Sequence, residues 1–368
     1  MIYPVSQPTL GVNAKNYVND CLDENWISST GKYLDLFEKS LETFLENRNT
    51  LVSSNGTTAL HLALLALNLK PGDEVLIPAL TYVATANAIQ YCGGVPICVD
   101  SNLETWNSDL LSFEEKITPR TVGILAVHLY GSPCDAAGLK ELCKKNNLWL
   151  VEDCAEAIGA TLDGIRVGNF GEMGTFSFYG NKIITTGEGG ALTCSSSELK
   201  ESAKLFRGQG MDLNRRYWHT VVGYNYRMTN IQAALGLSQM EEINSHIDAR
   251  SKILEQYKQF LAPLSERGII SFQSHLKNAV PVNWLTSITL DQSAYKRNDL
   301  IDALQVQGIE SRPFFHPVNK LPMYKTNGNP NALTLSESGI NLPTYKTLNE
   351  SDVYFICSQI TNIVLRIR

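Results

Sequence analysis

The chain of 368 residues has no apolar run long enough to cross a bilayer, and its first residues lack the basic and hydrophobic regions of a signal peptide. It also has no dense run of Lys and Arg. Its net charge of −6 gives no general attraction to nucleic acid or to anionic lipid. We therefore expect a cytoplasmic protein that binds neither a membrane nor nucleic acid.

Motifs of several common sites are missing as well. None of the eight cysteines forms a C-x-x-C pair, which argues against a zinc ribbon or a thioredoxin-like site and favours buried free thiols in a reducing compartment. No metal site is expected. The sequence has no G-x-x-x-x-G-K-[ST] motif, the signature of a Walker phosphate-binding loop. It also lacks the G-x-G-x-x-G fingerprint, which disfavours a nicotinamide dehydrogenase. Hydrophobic residues make up 43% of the chain, which is enough for a sizeable core and excludes global disorder.

What the sequence does contain is an alternation of short apolar runs with helical patterns over its first two-thirds. Such alternation predicts an α/β fold with a mostly parallel sheet covered on both faces. Near residue 240 the pattern changes, and residues 236–264 are predicted to form one long connecting helix that ends at Pro263. We expect a large domain over 1–245 and a smaller C-terminal α/β domain over 246–368.

Two residues lie at positions in this predicted fold that are typical of catalytic or ligand-binding residues. Asp153 ends the apolar run LWLVED, and ligands of open α/β sheets bind at the carboxyl ends of strands; the competing interpretation is a helix N-cap. Lys182 lies between an apolar strand and two isoleucines in a glycine-rich loop. Such surroundings can desolvate its amine for Schiff-base chemistry. A surface lysine with a buried stem is the alternative.

Two further signals are weak when taken singly. Gly56 and Thr57, in SSNGTTAL, open a helix whose free N–H groups could hold a phosphate, although an ordinary Asn-Gly turn would have the same sequence. Tyr82 follows the next strand and could stack on a flat ring, or simply pack in the core. A phosphate cup, a stacking aromatic, an acid and a desolvated lysine are together the parts of a pyridoxal phosphate site.

At this point the sequence resembles the DegT/DnrJ/EryC1/StrS nucleotide-sugar aminotransferases, which have the aspartate aminotransferase fold (fold type I). The resemblance covers essentially the whole chain. Its motifs, in the family order, are WISSTGKYLDLFE, SNGTTALHLAL, PGDEVLIPALTYVATANAI, VHLYG, VEDCAEAIGA, FSFYGNK, TTGEGG, GYNYRMTNIQAALGLSQ and SRPFFHP.

The resemblance implies a role for each matching residue. Lys182 would bind pyridoxal 5′-phosphate covalently, Asp153 would pair with the ring nitrogen, and Tyr82 would stack on the ring. The other implied cofactor residues are Gly56, Thr57 and Ser177 at the phosphate, Glu156 near the phenolic oxygen, and Asn225 reaching the phosphate of the neighbouring subunit. The resemblance thus implies a homodimer with shared active sites.

The implied reaction moves an amino group from L-glutamate to C4 of a nucleotide-linked 4-keto-6-deoxyhexose, a step in deoxyamino-sugar and polysaccharide biosynthesis. Relatives with His in place of Lys182 act as dehydratases, so the lysine favours an aminotransferase. GDP-4-keto-6-deoxymannose is the favoured acceptor, and a dTDP- or UDP-linked keto sugar is the alternative. A non-catalytic regulatory member of the fold is a further hypothesis, but such a protein would be expected to lose Lys182 or Asp153.

Three residues are candidates for substrate contact. Arg215 could meet the diphosphate together with Arg216, and the alternative is an exposed loop pair. His219 and His316 lie in segments that flank the sugar-nucleotide pocket in relatives, and each could equally be a surface-loop residue. For His128, packing or hydrogen bonding is favoured over catalysis.

Overall fold

The computed structural model describes residues 2–47, 49–212 and 214–365. Its strands are β1 (Thr50–Ser53), β2 (Glu74–Pro78), β3 (Val95–Val99), β4 (Thr121–Val127), β5 (Trp149–Asp153), β6 (Thr161–Leu162), β7 (Ile165–Arg166), β8 (Met173–Ser177), β9 (Gly190–Cys194), β10 (Ile270–Phe272), β11 (Ala279–Val280), β12 (Thr286–Leu290), β13 (Arg312–Pro313) and β14 (Gly339–Leu342).

The helices alternate with these strands along most of the chain. They are α1 (Ala14–Asp23), α2 (Lys32–Leu45), α3 (Gly56–Ala66), α4 (Ala84–Tyr91), α5 (Leu110–Glu114), α6 (Ala136–Asn146), α7 (Ser197–Arg207), α8 (Asn230–Met240), α9 (Ile243–Phe260), α10 (Ala262–Ser265), α11 (Arg297–Val306), α12 (Pro330–Ser338) and α13 (Glu350–Leu365). Within the described residues, none of these helices is both long and apolar enough to cross a membrane.

A seven-stranded sheet in the order β1-β9-β8-β5-β4-β2-β3 forms the centre of the molecule. The pairs β2–β3, β2–β4, β4–β5 and β5–β8 are parallel, while β9 runs antiparallel to both of its neighbours. The predicted α/β fold with a mostly parallel mixed sheet is thus confirmed. The carboxyl ends of β5 and β8 lie side by side, which brings the segments after Asp153 and Ser177 together.

A second, antiparallel sheet has the order β10-β12-β14-β13, and its strands all lie beyond residue 269. Helices α9, α11 and α13 cover an apolar core of their own against it. A short sheet, β11-β6-β7, joins a strand from this part of the chain to the segment after β5. The predicted domain boundary at residue 245 lies within α9.

The prediction of one long helix over 236–264 is wrong. The chain breaks between α8 and α9, where Glu242 has φ −117°, and Pro263 lies in the first turn of α10. Both acids at the break bind the N-terminal segment. Glu242 accepts a hydrogen bond from the Val12 N–H at 2.7 Å, and Glu241 accepts one from Tyr17 Oη at 2.6 Å. Apolar periodicity continues through the break, so the pattern alone could not locate it.

Candidate active site

Asp153 ends β5 with its carboxylate buried at the edge of the main sheet. Its Oδ2 accepts a hydrogen bond from Thr85 Oγ1 at 2.9 Å, and its Oδ1 accepts one from the Ala155 N–H at 3.1 Å. Burial raises the pKa of Asp153, and these two donors oppose that rise. The residues after Asp153 form turns rather than a helix, so the helix-cap alternative does not hold.

Lys182 lies beyond the end of β8, with only 11% of its side chain exposed. Its Nζ is 3.8 Å from Glu156 Oε1, which makes the pair a buried ion pair when both are charged. Burial lowers the pKa of Lys182, while Glu156 and Asp153 oppose that change. The structure therefore brings together the lysine and both acids that the sequence singled out, and it supports the prediction of a desolvated amine.

The second carboxylate oxygen of Glu156 is held by a backbone donor. The Tyr130 N–H donates to Glu156 Oε2 at 2.7 Å. Burial raises the pKa of Glu156 to about 7, against the opposing effect of the Lys182 charge. Tyr130 has a left-handed backbone with φ 54°, an uncommon conformation for a bulky residue that is often found at functional sites.

Helix α3 begins directly opposite the end of β8. A capping box between Asn55 and Thr58 starts the helix and leaves the N–H groups of Gly56 and Thr57 outside its bonds. A Cβ added to Gly56 would lie 2.8 Å from Ser177 Cβ, so the glycine allows the helix and the strand to meet. The three predicted phosphate residues are therefore neighbours at one helix N-terminus, where an anion is favoured.

Aromatic side chains form one wall of this region. Tyr82 is 58% exposed, and its ring centroid lies 5.7 Å from that of Phe315. Phe315 stacks on Tyr130 at 5.6 Å, and Tyr130 also stacks on Trp284 at 6.1 Å. The exposure of Tyr82 rules out core packing and leaves its ring face available to a ligand.

The remaining candidate residues lie on the surface of the chain. Arg215, His219, Asn225 and His316 are all exposed. Arg215 stacks on the Trp218 ring at 4.0 Å, and His219 Nδ1 lies 2.9 Å from the Gln209 carbonyl oxygen. The predicted substrate contacts of Arg215, His219 and His316 remain predictions, as does the predicted contact of Asn225 with the cofactor phosphate of a second subunit.

His128, Glu152 and Cys154 are buried with their ligand atoms within 4.8 Å of one another. Hydrogen bonds already occupy them: the Cys134 N–H donates to His128 Nδ1, and His128 Nε2 lies 3.1 Å from Glu152 Oε2. Glu152 also accepts from three backbone N–H groups, those of Gly168, Phe170 and Gly171. The cluster connects the β5 strand to the following loop, which agrees with the hydrogen-bonding role expected of His128.

Sequence reasoning missed three residues of this site: Thr85, Tyr130 and Trp284. Thr85 lies one helical turn after Tyr82, so its position on α4 was a usable signal. Tyr130 and Trp284 are distant in sequence from Lys182, and nothing in their local sequence indicates the contact.

Comparison with known proteins agrees with this geometry. The family model described as the DegT/DnrJ/EryC1/StrS aminotransferase family matches residues 8–361. A GDP-perosamine synthase of Escherichia coli O157:H7 is 45% identical over 359 residues, covering 97% of both chains. A GDP-perosamine synthase of Caulobacter vibrioides is 43% identical over 365 residues, covering 98% of both chains.

Solved structures of the same fold include a form with cofactor. The PLP form of Spr1654 from Streptococcus pneumoniae, described as a sugar aminotransferase, superimposes with a TM-score of 0.92 at 27% identity. The match covers 99% of each chain.

Proposed function

The chain belongs to the DegT/DnrJ/EryC1/StrS aminotransferase family, and from that premise we propose that it converts GDP-4-keto-6-deoxymannose to GDP-perosamine with L-glutamate as the amino donor. The protein is an aminotransferase of a pyridoxal-phosphate-dependent family. The acceptor is inferred from relatives named GDP-perosamine synthase, which match this chain over nearly their full length, and the donor from the family resemblance.

The observation that carries the proposal is the buried amine of Lys182, 3.8 Å from Glu156, at the sheet edge where Asp153 ends its strand. These residues fit pyridoxal phosphate. A desolvated amine can bind an aldehyde carbon, a buried carboxylate can hold a proton on a ring nitrogen, and a helix N-terminus can bind a phosphate. Bound pyridoxal phosphate supplies an electron sink for the charge left when a carbon–hydrogen bond of the substrate breaks.

Lys182 would hold the cofactor and move protons. Its lowered pKa raises the fraction of neutral amine at neutral pH, and only the neutral amine can accept a proton from the donor's α-carbon. The short loop after β8 would keep Nζ close to the reacting carbon, so proton transfer would need no diffusing base.

The two acids would have different tasks. Asp153 would hold the proton of the cofactor ring nitrogen, and Thr85 fixes the carboxylate for that role. Glu156 would face the phenolic oxygen, where its raised pKa lets it exchange a proton with Lys182 near neutrality. Gly56, Thr57 and Ser177 would bind the phosphate, and Tyr82 would stack on the ring.

We further propose a cytoplasmic homodimer in which Asn225 reaches the cofactor phosphate of the second subunit. The exposed aromatic rings of Tyr82, Tyr179 and Trp218 support this, since exposed aromatics near a site are typical of an interface or a ligand surface. All eight cysteines are free thiols, which supports a reducing compartment.

A panel of acceptors tests the proposed function. GDP-, dTDP- and UDP-linked 4-keto-6-deoxy sugars are supplied with L-glutamate, and 2-oxoglutarate release is followed, with Lys182→Ala as the inactive control. We expect the highest kcat/KM with GDP-4-keto-6-deoxymannose, because a site that pairs with guanine leaves its polar groups unpaired against thymine. Equal or higher kcat/KM with the dTDP sugar would reject the acceptor assignment and favour the alternative substrate.

A further inference from the structure

Trp284 enters the site from the part of the chain that carries the second sheet. It lies two residues before β12, is 4% exposed, and places its ring over the amine of Lys182. The distance from Lys182 Nζ to the ring centroid is 3.8 Å, as short as the distance from Nζ to Glu156. The amine thus contacts both an aromatic face and a carboxylate.

The polar edge of the same ring makes a second contact. Trp284 Nε1–H donates to the carbonyl oxygen of Asn181 at 2.8 Å. Asn181 directly precedes Lys182, so this bond fixes the backbone from which the lysine side chain begins. The face of the indole therefore contacts the Lys182 amine, while its N–H binds the backbone of the preceding residue.

Trp284 is itself anchored from both sides. Buried Arg250 of α9 donates from Nη1 to the Trp284 carbonyl oxygen at 2.6 Å. Two residues earlier, the Val282 N–H donates to the Gly131 carbonyl oxygen at 3.0 Å. The ring stacks on Tyr130, whose N–H holds Glu156. One assembly therefore sets the positions of both the amine and its carboxylate partner.

We propose that Trp284 is a positioning residue for Lys182: its ring face stabilises the ammonium form and orients Nζ, while its indole N–H fixes the loop at Asn181. The inference rests on the proposed function of Lys182 as the reactive amine.

The charged groups that face Lys182 are Glu156 and Asp153, and both favour its protonated form, whereas burial disfavours it. An aromatic face adds to the stabilisation of the ammonium ion. Replacing Trp284 by Leu keeps an apolar group over the amine and removes the aromatic face. The pKa of Lys182 should then fall by about 0.5 to 1.5 pH units.

The test measures Lys182 in the protein freed of cofactor. The purified chain is reacted briefly with an amine-specific acylating reagent over a range of pH, and mass spectrometry quantifies labelling of the peptide that contains Lys182. The midpoint of the rate profile gives the pKa, and its high-pH plateau reports access. In Trp284→Leu we expect a lower midpoint, and in Trp284→Phe, which keeps the aromatic face, a midpoint close to that of the wild type.

Trp106→Leu is the matched control, because Trp106 is also buried and contacts Tyr130 and Phe314 in the same aromatic cluster. Its midpoint should not move. The inference would be overturned if the midpoint of Trp284→Leu equalled that of the wild type, or if the Trp106 variant showed the same shift.

Should Trp284→Leu fail to fold, Trp284→Phe remains decisive in turnover assays. Loss of the Asn181 bond should lower kcat several-fold with KM nearly unchanged, and an unaltered kcat would overturn the positioning role.

Failure of this inference and failure of the proposed function give different results. The labelling profile needs no cofactor or substrate. An unchanged midpoint in a variant that still binds the cofactor at Lys182 rejects only the role of Trp284.

Discussion

At the scale of single residues, the chemistry of the site depends on how burial and charge divide one proton between Lys182 and Glu156. Burial opposes the charged form of each, and their separation of 3.8 Å favours the charged forms together. Neither residue would behave this way on the surface. Burial lowers the pKa of Lys182 and so raises the fraction of neutral amine, the form that nucleophilic attack on a cofactor aldehyde requires.

Glu156→Gln should change how stability depends on pH. Because the folded pKa of about 7 exceeds the unfolded value, the folded protein retains a proton that the unfolded chain has lost between pH 4.5 and 7. The stability that protonated Glu156 contributes to the wild type below pH 4.5 is therefore lost as the pH rises through 7. The variant lacks this loss, so its stability relative to the wild type should rise by on the order of 1–3 kcal/mol across that interval.

Urea unfolding at several pH values measures this difference. Glu115→Gln, at an exposed position, is the control and should run parallel to the wild type. Parallel curves for Glu156→Gln as well would show that Glu156 is ionised throughout the interval and would contradict the raised pKa.

The sequence predicted the residues of this site unevenly. Asp153 ends a strand and Lys182 follows one, so the strand pattern predicted their positions at the sheet edge. Trp284 reaches Lys182 through tertiary contacts: Arg250 of α9 donates to its carbonyl oxygen, and the nearby Val282 N–H donates to the Gly131 carbonyl oxygen after β4. Such contacts depend on tertiary packing, and the local sequence around residue 284 looks like the start of any partly apolar strand.

At the scale of elements, the site depends on a helix and a strand that end at the same place. Helix α3 begins and β8 ends where Gly56 lies against Ser177, and the missing side chain of Gly56 allows that approach. Apolar runs predicted the central strands well. They missed edge strand β3, in which Pro96 and the preceding Gly93 and Gly94 suggest a loop; a proline is tolerated there because β3 pairs on one side only.

Gly56→Ala should weaken cofactor binding by about tenfold or more. The added Cβ would stand 2.8 Å from Ser177 Cβ, so α3 must shift away from β8, and overpacking of this kind typically costs about 1–3 kcal/mol. Titration of the cofactor-free protein with pyridoxal phosphate, followed by absorbance, gives the dissociation constant. Gly180→Ala is the control, since a Cβ there meets open space; an equal affinity in both variants would remove the phosphate role from the start of α3.

At the scale of the whole molecule, the site is assembled from distant parts of the chain. Strand β5 supplies Asp153, the loop after β8 supplies Lys182, the segment before β12 supplies Trp284, and the loop after β13 supplies Phe315. The family resemblance predicted the roles of Asp153 and Lys182 but neither Trp284 nor Phe315, and composition and periodicity alone predicted only an α/β fold. We propose that a second copy of the chain completes the site through Asn225, which is exposed in the single chain.

Mixing two inactive variants tests the shared site. Asn225→Ala and Lys182→Ala are each expected to have low activity, but a heterodimer of the two would contain one site with both lesions and one with neither. Activity should therefore recover after subunit exchange, to at most about half of the wild-type value per heterodimer. No recovery despite exchange demonstrated by native mass spectrometry would contradict a site shared between subunits.

The most direct test of the central claim is to identify the lysine that binds the cofactor. The protein loaded with pyridoxal phosphate is reduced with borohydride, digested, and examined by mass spectrometry. We predict a phosphopyridoxyl group on the peptide that contains Lys182, and its loss in Lys182→Ala. A stable label on a different lysine, or none on Lys182 in protein that turns over, would contradict the account.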